Sequence, residues 1–265
     1  SNLRLGVNAG NSIASGGNYN VVLGDEAGTA LTTGDDNVFT GYASGDAITT
    51  GSQNVALGKS ALGSDVAGAR TTAIGYQALT SQSFATGTYS YNTAAGYNSG
   101  AAVTTGTFNT LIGSLAGDAL TDADYNVAIG FGSLGGDTLG SRSTALGYNA
   151  LLSQNFTTAT DTYNVAVGFG AGVAVTTGVQ NTLIGGLAGD ALTTGSQNIS
   201  IGYQALSADD LGSHNVAIGA NALSDMNFAT ATDSYNTAVG DQAGLRVTTG
   251  TQNTYIGGLA GDAAT

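Results

Sequence analysis

The sequence has no cysteine, no proline and no tryptophan, and only one histidine and one methionine. Without cysteine there can be no disulfide framework and no thiol chemistry, so the redox compartment is unmarked. Without proline, the forty-three glycines cannot belong to a collagen helix, which needs a proline-rich Gly-X-Y period. Charge is scarce and one-sided: 9% of residues carry it, and eighteen acidic against five basic residues give a net charge of -13. A surface of that sign repels nucleic acid, and no basic stripe is present to hold phosphates. It also keeps a slender protein dispersed. The apolar share of 42% is too high for the disordered class. No apolar run approaches the ~18 residues of a membrane helix. No signal peptide is visible, and because the chain opens inside a repeat, a targeting segment upstream stays open.

What the sequence has instead is one five-residue phrase, polar–apolar–small–apolar–Gly, written fifteen times, as in Asn126-Val127-Ala128-Ile129-Gly130. Its copies start at residues 2, 20, 37, 54, 71, 92, 109, 126, 143, 164, 181, 198, 215, 236 and 253. Asparagine opens every copy except those at Thr71 and Ser143, and glycine closes every one. Successive starts lie 17 residues apart, save an opening step of 18 and three steps of 21. Self-similarity at this period predicts stacked coils, forming one continuous domain over residues 1–265. Seventeen residues are too few for a helix–turn–helix repeat, and Val, Ile and Thr with frequent Gly favour strands. Each coil reads as a short strand, a glycine turn, a second short strand and another turn. The fold class is therefore an all-β parallel solenoid of about fifteen coils.

The longer steps recur at every fourth coil and make a cycle of 72 residues. Tyr19, Tyr91, Tyr163 and Tyr235 keep that distance, as do Asp46, Asp118, Asp190 and Asp262. The extra residues fall at 83–86, 155–158 and 227–230 and are expected to protrude on one edge. Eight residues after the phrase begins, the chain alternates in blocks between Gly (Gly28, Gly45) and Leu (Leu62, Leu79). Within the phrase, Val127 and Ile129 point one way and Ala128 the other. The second face carries Phe39, Leu111, Leu183 and Tyr255 in every fourth coil. A strand apolar on both faces should be covered on both. One face can fill its own coil; the other asks for a partner chain.

Segments such as Asn198-Ile199-Ser200-Ile201-Gly202-Tyr203-Gln204-Ala205-Leu206 and Thr71-Thr72-Ala73-Ile74-Gly75-Tyr76-Gln77-Ala78-Leu79 resemble repeats of phage tail-fibre proteins. They are also similar to the head repeats of trimeric autotransporter adhesins of the YadA type. The resemblance covers essentially the whole chain. It implies a left-handed parallel β-roll with three chains wound side by side and the strand phrase facing the trimer axis. The adhesin heads use a shorter coil, and the C-terminal chaperone or membrane anchor of these families has no counterpart here. Open coil ends make a fragment of a longer fibre, or end-to-end polymerisation, the expectation.

Several columns are candidate sites. Asparagines such as Asn109, Asn126, Asn181 and Asn198, with the closing Gly113, Gly130, Gly185 and Gly202, fit a structural ladder that satisfies turn backbone groups. Aromatic residues follow the closing glycine at Tyr76, Tyr148 and Tyr203, among others, and a row of exposed rings could stack on sugars. Subunit seams also use tyrosine heavily, so that alternative stands beside the first. Phe84, Phe156 and Phe228 break the plain repeat in the insertions and are the other expected recognition points. Aspartate pairs such as Asp35-Asp36 and Asp209-Asp210 sit in turns, where solvated carboxylates are ordinary. The Gly-Gly-x-Gly-x-Asp phrase of calcium-binding rolls is absent, and calcium needs six or more oxygen ligands. Calcium therefore stays a minor alternative, and no other cofactor is expected.

His214 stands where Arg142 and Arg70 stand one and two cycles earlier, and a catalytic base is not exchangeable with arginine. The sequence thus points to a non-enzymatic, extracellular component of a fibre or filament, with a glycan or cell-surface receptor as partner and a homotrimer as the favoured assembly. The rival reading is an ice-binding solenoid using a threonine ladder at Thr32, Thr49, Thr104, Thr176, Thr193 and Thr248.

Overall fold

The computed structural model describes residues 1–264. It is an all-β parallel solenoid in which each of the fifteen phrases supplies one three-residue strand. The chain forms two compact units, one ending at Ala128 and the other beginning at Ile129. In the first, strand Leu3–Leu5 is followed by Val21–Leu23, Val38–Thr40, Val55–Leu57, Thr72–Ile74, Thr93–Ala95 and Thr110–Ile112. Each pairs in parallel with the next in strict register, as in Leu57↔Ile74 and Ala56↔Ala73. The second unit repeats the pattern from Thr144–Leu146 through Val165–Val167, Thr182–Ile184, Ile199–Ile201, Val216–Ile218 and Thr237–Val239 to Thr254–Ile256. Strand Val127–Ile129 carries the boundary.

The second strand expected in every coil does not form. After the closing glycine the chain runs through turns instead, because residues six and eight places into the coil take positive φ. Gln77 (φ 53°) and Leu79 (φ 50°) show this, and an extended ladder cannot pass through such residues. Among the described residues a second pairing appears only beside the insertions. There Gly68–Ala69 pairs with Thr88–Tyr89, Gly140–Ser141 with Thr160–Asp161, and Gly212–Ser213 with Thr232–Asp233.

The middle residue of each inner strand turns into the coil, and its size dictates what lies opposite. Phe39 is fully buried between Gly28 and Gly45, where an added Cβ would come within 2.9 and 2.8 Å of its ring. Leu111 sits likewise between Gly100 and Gly117, and Leu183 between Gly172 and Gly189. Where the middle residue is small, as at Ala56 and Ala73, the same place is taken by fully buried Leu62 and Leu79. The block alternation of Gly and Leu is thus volume compensation, as a close-packed interior requires. It gives the four-coil cycle a physical cause.

The closing glycine is required twice over. Gly130 and Gly202 have φ of 133° and 137°, where a side chain is strained. A Cβ on Gly202 would also lie 2.5 Å from the carbonyl of Gly219 in the next coil.

Candidate functional site

The asparagine column is a buried ladder of side-chain amides. Asn181 Oδ1 accepts from the backbone N–H of Asn198 at 3.0 Å, and Asn198 Oδ1 accepts from that of Asn215 at 2.9 Å. Each side-chain amide nitrogen donates to a turn carbonyl: Asn181 to Gly195 and Asn198 to Gly212, both at 2.9 Å. In the first unit Asn109 does the same for Asn126 N–H (3.0 Å) and the Ala123 carbonyl (2.8 Å). Strands of three residues cannot satisfy the corner groups themselves, so a fully buried amide does so.

Two coils lack the asparagine, and a polar cluster repairs the ladder at both. Gln82 Nε2 donates to Asp65 Oδ2 (2.7 Å) and to Thr71 Oγ1 (3.0 Å), while Gln82 Oε1 accepts from Asn92 Nδ2 at 2.8 Å. The Ser90 hydroxyl then accepts from Asn92 N–H at 3.3 Å. Gln154 joins Asp137, Ser143 and Asn164 in the same way one cycle later. In the third cycle asparagine returns as Asn215, and Met226 replaces the glutamine. Asp209 Oδ2 is left buried without a partner. Burial, with the neighbouring Asp210 charge added, pushes the Asp209 carboxyl up to about 6 against the pull of backbone donors. Sequence reading missed this cluster, since Asp65 and Gln82 meet only once coils stack. The signal available was the coincidence of Asp and Gln in one column, 17 residues apart.

Phe84, Phe156 and Phe228 do not face solvent. Their rings are 5–7% exposed, and they close the base of each insertion. Exposed residues such as Ala85, Thr86 and Gly87 form the protruding tip instead. An aromatic ring in a loop lowers its free energy most by turning onto nearby apolar surface, which is why these rings go inward.

The aromatic row is exposed, and parts of it are stacked ring on ring. Tyr76 stacks on Tyr97 at 5.3 Å, and Tyr148 lies between Phe131 (5.5 Å) and Phe169 (5.3 Å) with planes within 12°. Where rings stack in this way they turn their edges outward. Tyr203 extends over Gly186, whose absent side chain leaves the room. A second stack runs along the opposite margin of the strands through Tyr91, Phe108 and Tyr125.

Between the two ring margins lies the outer face of the sheet, an uncharged strip of Thr, Val, Ile and Leu. Leu57, Ile74, Ile112, Leu146 and Ile184 are 37–44% exposed there. Beside them stand Thr72, Thr93 and Thr110 in the first unit, and Thr144, Thr182 and Thr237 in the second. The threonines of the turn column have another task. The hydroxyls of Thr32, Thr49, Thr104, Thr176 and Thr193 donate to a carbonyl one coil on, at 2.9–3.2 Å, so this ladder binds coil to coil. Thr248 stays exposed.

Burial also raises the Asp46, Asp118 and Asp190 carboxyls above the usual range. Among the described residues no three His, Cys, Asp or Glu side chains come close enough to hold a metal ion. Among the described residues no helix is long and apolar enough to cross a membrane. His214 Nδ1 lies 3.2 Å from Asp233 Oδ1, with its ring stacked on Tyr235 at 4.7 Å.

Fold and ladders together define a β-solenoid scaffold. No protein-family model, curated protein or solved structure matches the chain.

Proposed function

We propose that this scaffold works by presenting the outer strip of its main sheet to an extended, regularly repeating partner, and that the partner is ice. The observation that carries the reading is the strip: threonines and branched aliphatic side chains in register at the ~4.8 Å strand spacing, uncharged and uncovered. A lattice is recognised by regularity rather than by a pocket. The buried amide and hydroxyl ladders hold that regularity by tying each coil to the next. The test is thermal hysteresis of the purified protein, beside that of a variant with Thr110→Tyr and Thr182→Tyr in the strip. Absence of hysteresis in the unaltered protein would end this reading.

The fibre reading keeps a specific observation of its own. Neighbouring exposed Leu and Ile side chains are an ordinary mark of a protein interface, and Leu57 and Ile74 are strand partners of this kind, with Ile112 two coils beyond across Ala95. A side-by-side trimer in an extracellular fibre would cover them. Light scattering decides between the two, since the ice reading needs the strip free and the fibre reading needs it buried.

A further inference from the structure

The four-coil cycle places a basic residue at the same corner three times, and only the first lacks a carboxylate. Arg142 Nε lies 2.8 Å from Asp161 Oδ1, and His214 Nδ1 lies 3.2 Å from Asp233 Oδ1. Seventy-two residues before Asp161 stands Tyr89. Among the described residues, Arg70 pairs with no acidic side chain. Its guanidinium lies over the Tyr89 ring, 4.0 Å from the centroid. Nε donates to Gln53 Oε1 at 3.0 Å and Nη1 to Tyr91 Oη. Of the five N–H donors of a guanidinium, those of Nη2 and one of Nη1 are left over, and these two nitrogens form the fork that grips a carboxylate bidentately.

Arg70 borders a cleft. A space of about 320 Å³ opens between the Thr50–Gln53 turn, Arg70, Gly87 and Tyr89. It is at the small end of the ~300–1,000 Å³ range of ligand sites. The polar residues Thr50, Ser52 and Gln53 line it, while Tyr89, 57% exposed, is also part of its lining. The other two cycles show what this corner holds: a carboxylate.

We propose that the Arg70 cleft binds a carboxylate-bearing sugar ring of the hexuronate type. The carboxylate replaces the missing aspartate on the guanidinium fork, and the ring hydroxyls meet Thr50, Ser52 and Gln53. The site is independent of the outer strip, so it stands whichever partner covers that face.

The test is calorimetric titration at low salt with galacturonic acid, and with galactose as the neutral counterpart. Saturable galacturonate binding is expected, at least ten-fold tighter than galactose. Arg70→Gln should weaken it at least ten-fold, and Arg142→Gln should leave it unchanged. Tyr89→Asp is the second variant: it rebuilds the arrangement present at Arg142–Asp161, so it should fold normally and compete internally for Arg70. Galacturonate affinity equal to that of galactose, or undiminished in both Arg70→Gln and Tyr89→Asp, would overturn the site. So would the absence of any saturable galacturonate binding.

Discussion

Gln82 donates to Asp65 across one coil step at 2.7 Å, and its counterpart two cycles on is Met226, which has no such hydrogen to give. Asp209 is therefore a buried carboxyl with one oxygen unpaired, raised to about 6 chiefly by burial. The folded state holds this proton more tightly than the unfolded chain, whose carboxyl titrates near its ordinary value of 3.8. Stability linked to Asp209 is consequently fullest below about pH 4, falls as pH rises toward 6, and is flat above. The loss is roughly 2–3 kcal/mol. Met226→Gln should restore the donor, raise stability at pH 7 and flatten the profile. Urea unfolding midpoints of both proteins between pH 4 and 7 measure this. Parallel profiles would refute the assignment.

Size compensation gives a second expectation. Gly45→Ala places a methyl group against the Phe39 ring at a residue with φ of 56°. Overpacking and left-handed strain together should cost about 2–4 kcal/mol. Phe39→Ala alone should cost about 3–5 kcal/mol through its cavity. Because the two changes act on one space, the double variant should be less destabilised than the sum. A double-mutant cycle by denaturant unfolding reads the difference, and strict additivity would contradict the packing described.

The amide ladder predicts a large local penalty. Asn198→Ala orphans the Asn215 N–H and the Gly212 carbonyl, both in buried positions. At about 1–3 kcal/mol for each stranded group, the total is roughly 2–6 kcal/mol. Hydrogen exchange should show the Asn215 amide losing protection first.

Much of this architecture could be read from the chain, and the rest fails for identifiable reasons. The spacing of Asn and Gly columns fixes coil number and strand position, because a ladder needs the same residue at the same corner every time. The role of Asn109 and Asn198 follows from the same logic. The second strand did not form because Gln77, Leu79 and their equivalents adopt positive φ despite having side chains, which no glycine signal announces. Phe84 looked like a recognition residue because an insertion suggests exposure, yet which way a loop ring faces depends on apolar surface contributed by other coils. Ring columns at Tyr76 and Tyr148 are visible in the sequence, but not that rings of neighbouring coils stack on them. The Arg70 cleft needed three cycles in three dimensions, since only comparison with Asp161 and Asp233 shows what is missing.

The last prediction separates the two threonine columns. Thr193 Oγ1 donates to the Asp210 carbonyl at 2.9 Å, so its hydroxyl is spent inside the coil stack. Thr182 lies on the outer strip beside Val165 and Ile199, its strand partners. If the strip is the working face, Thr193→Val should lower stability by about 1 kcal/mol and leave thermal hysteresis unchanged. Thr182→Tyr should leave stability nearly unchanged and abolish most of the hysteresis, because a protruding ring breaks the register of the strip. Placing a charge there sharpens the contrast: with Leu57→Lys and Ile184→Lys, hysteresis should disappear from a protein that was a monomer throughout. On the fibre reading the unaltered chain is instead an oligomer, and the same two lysines convert it to single chains. Hysteresis that follows Thr193 rather than Thr182 would move the working face to the turn column and refute the assignment made here.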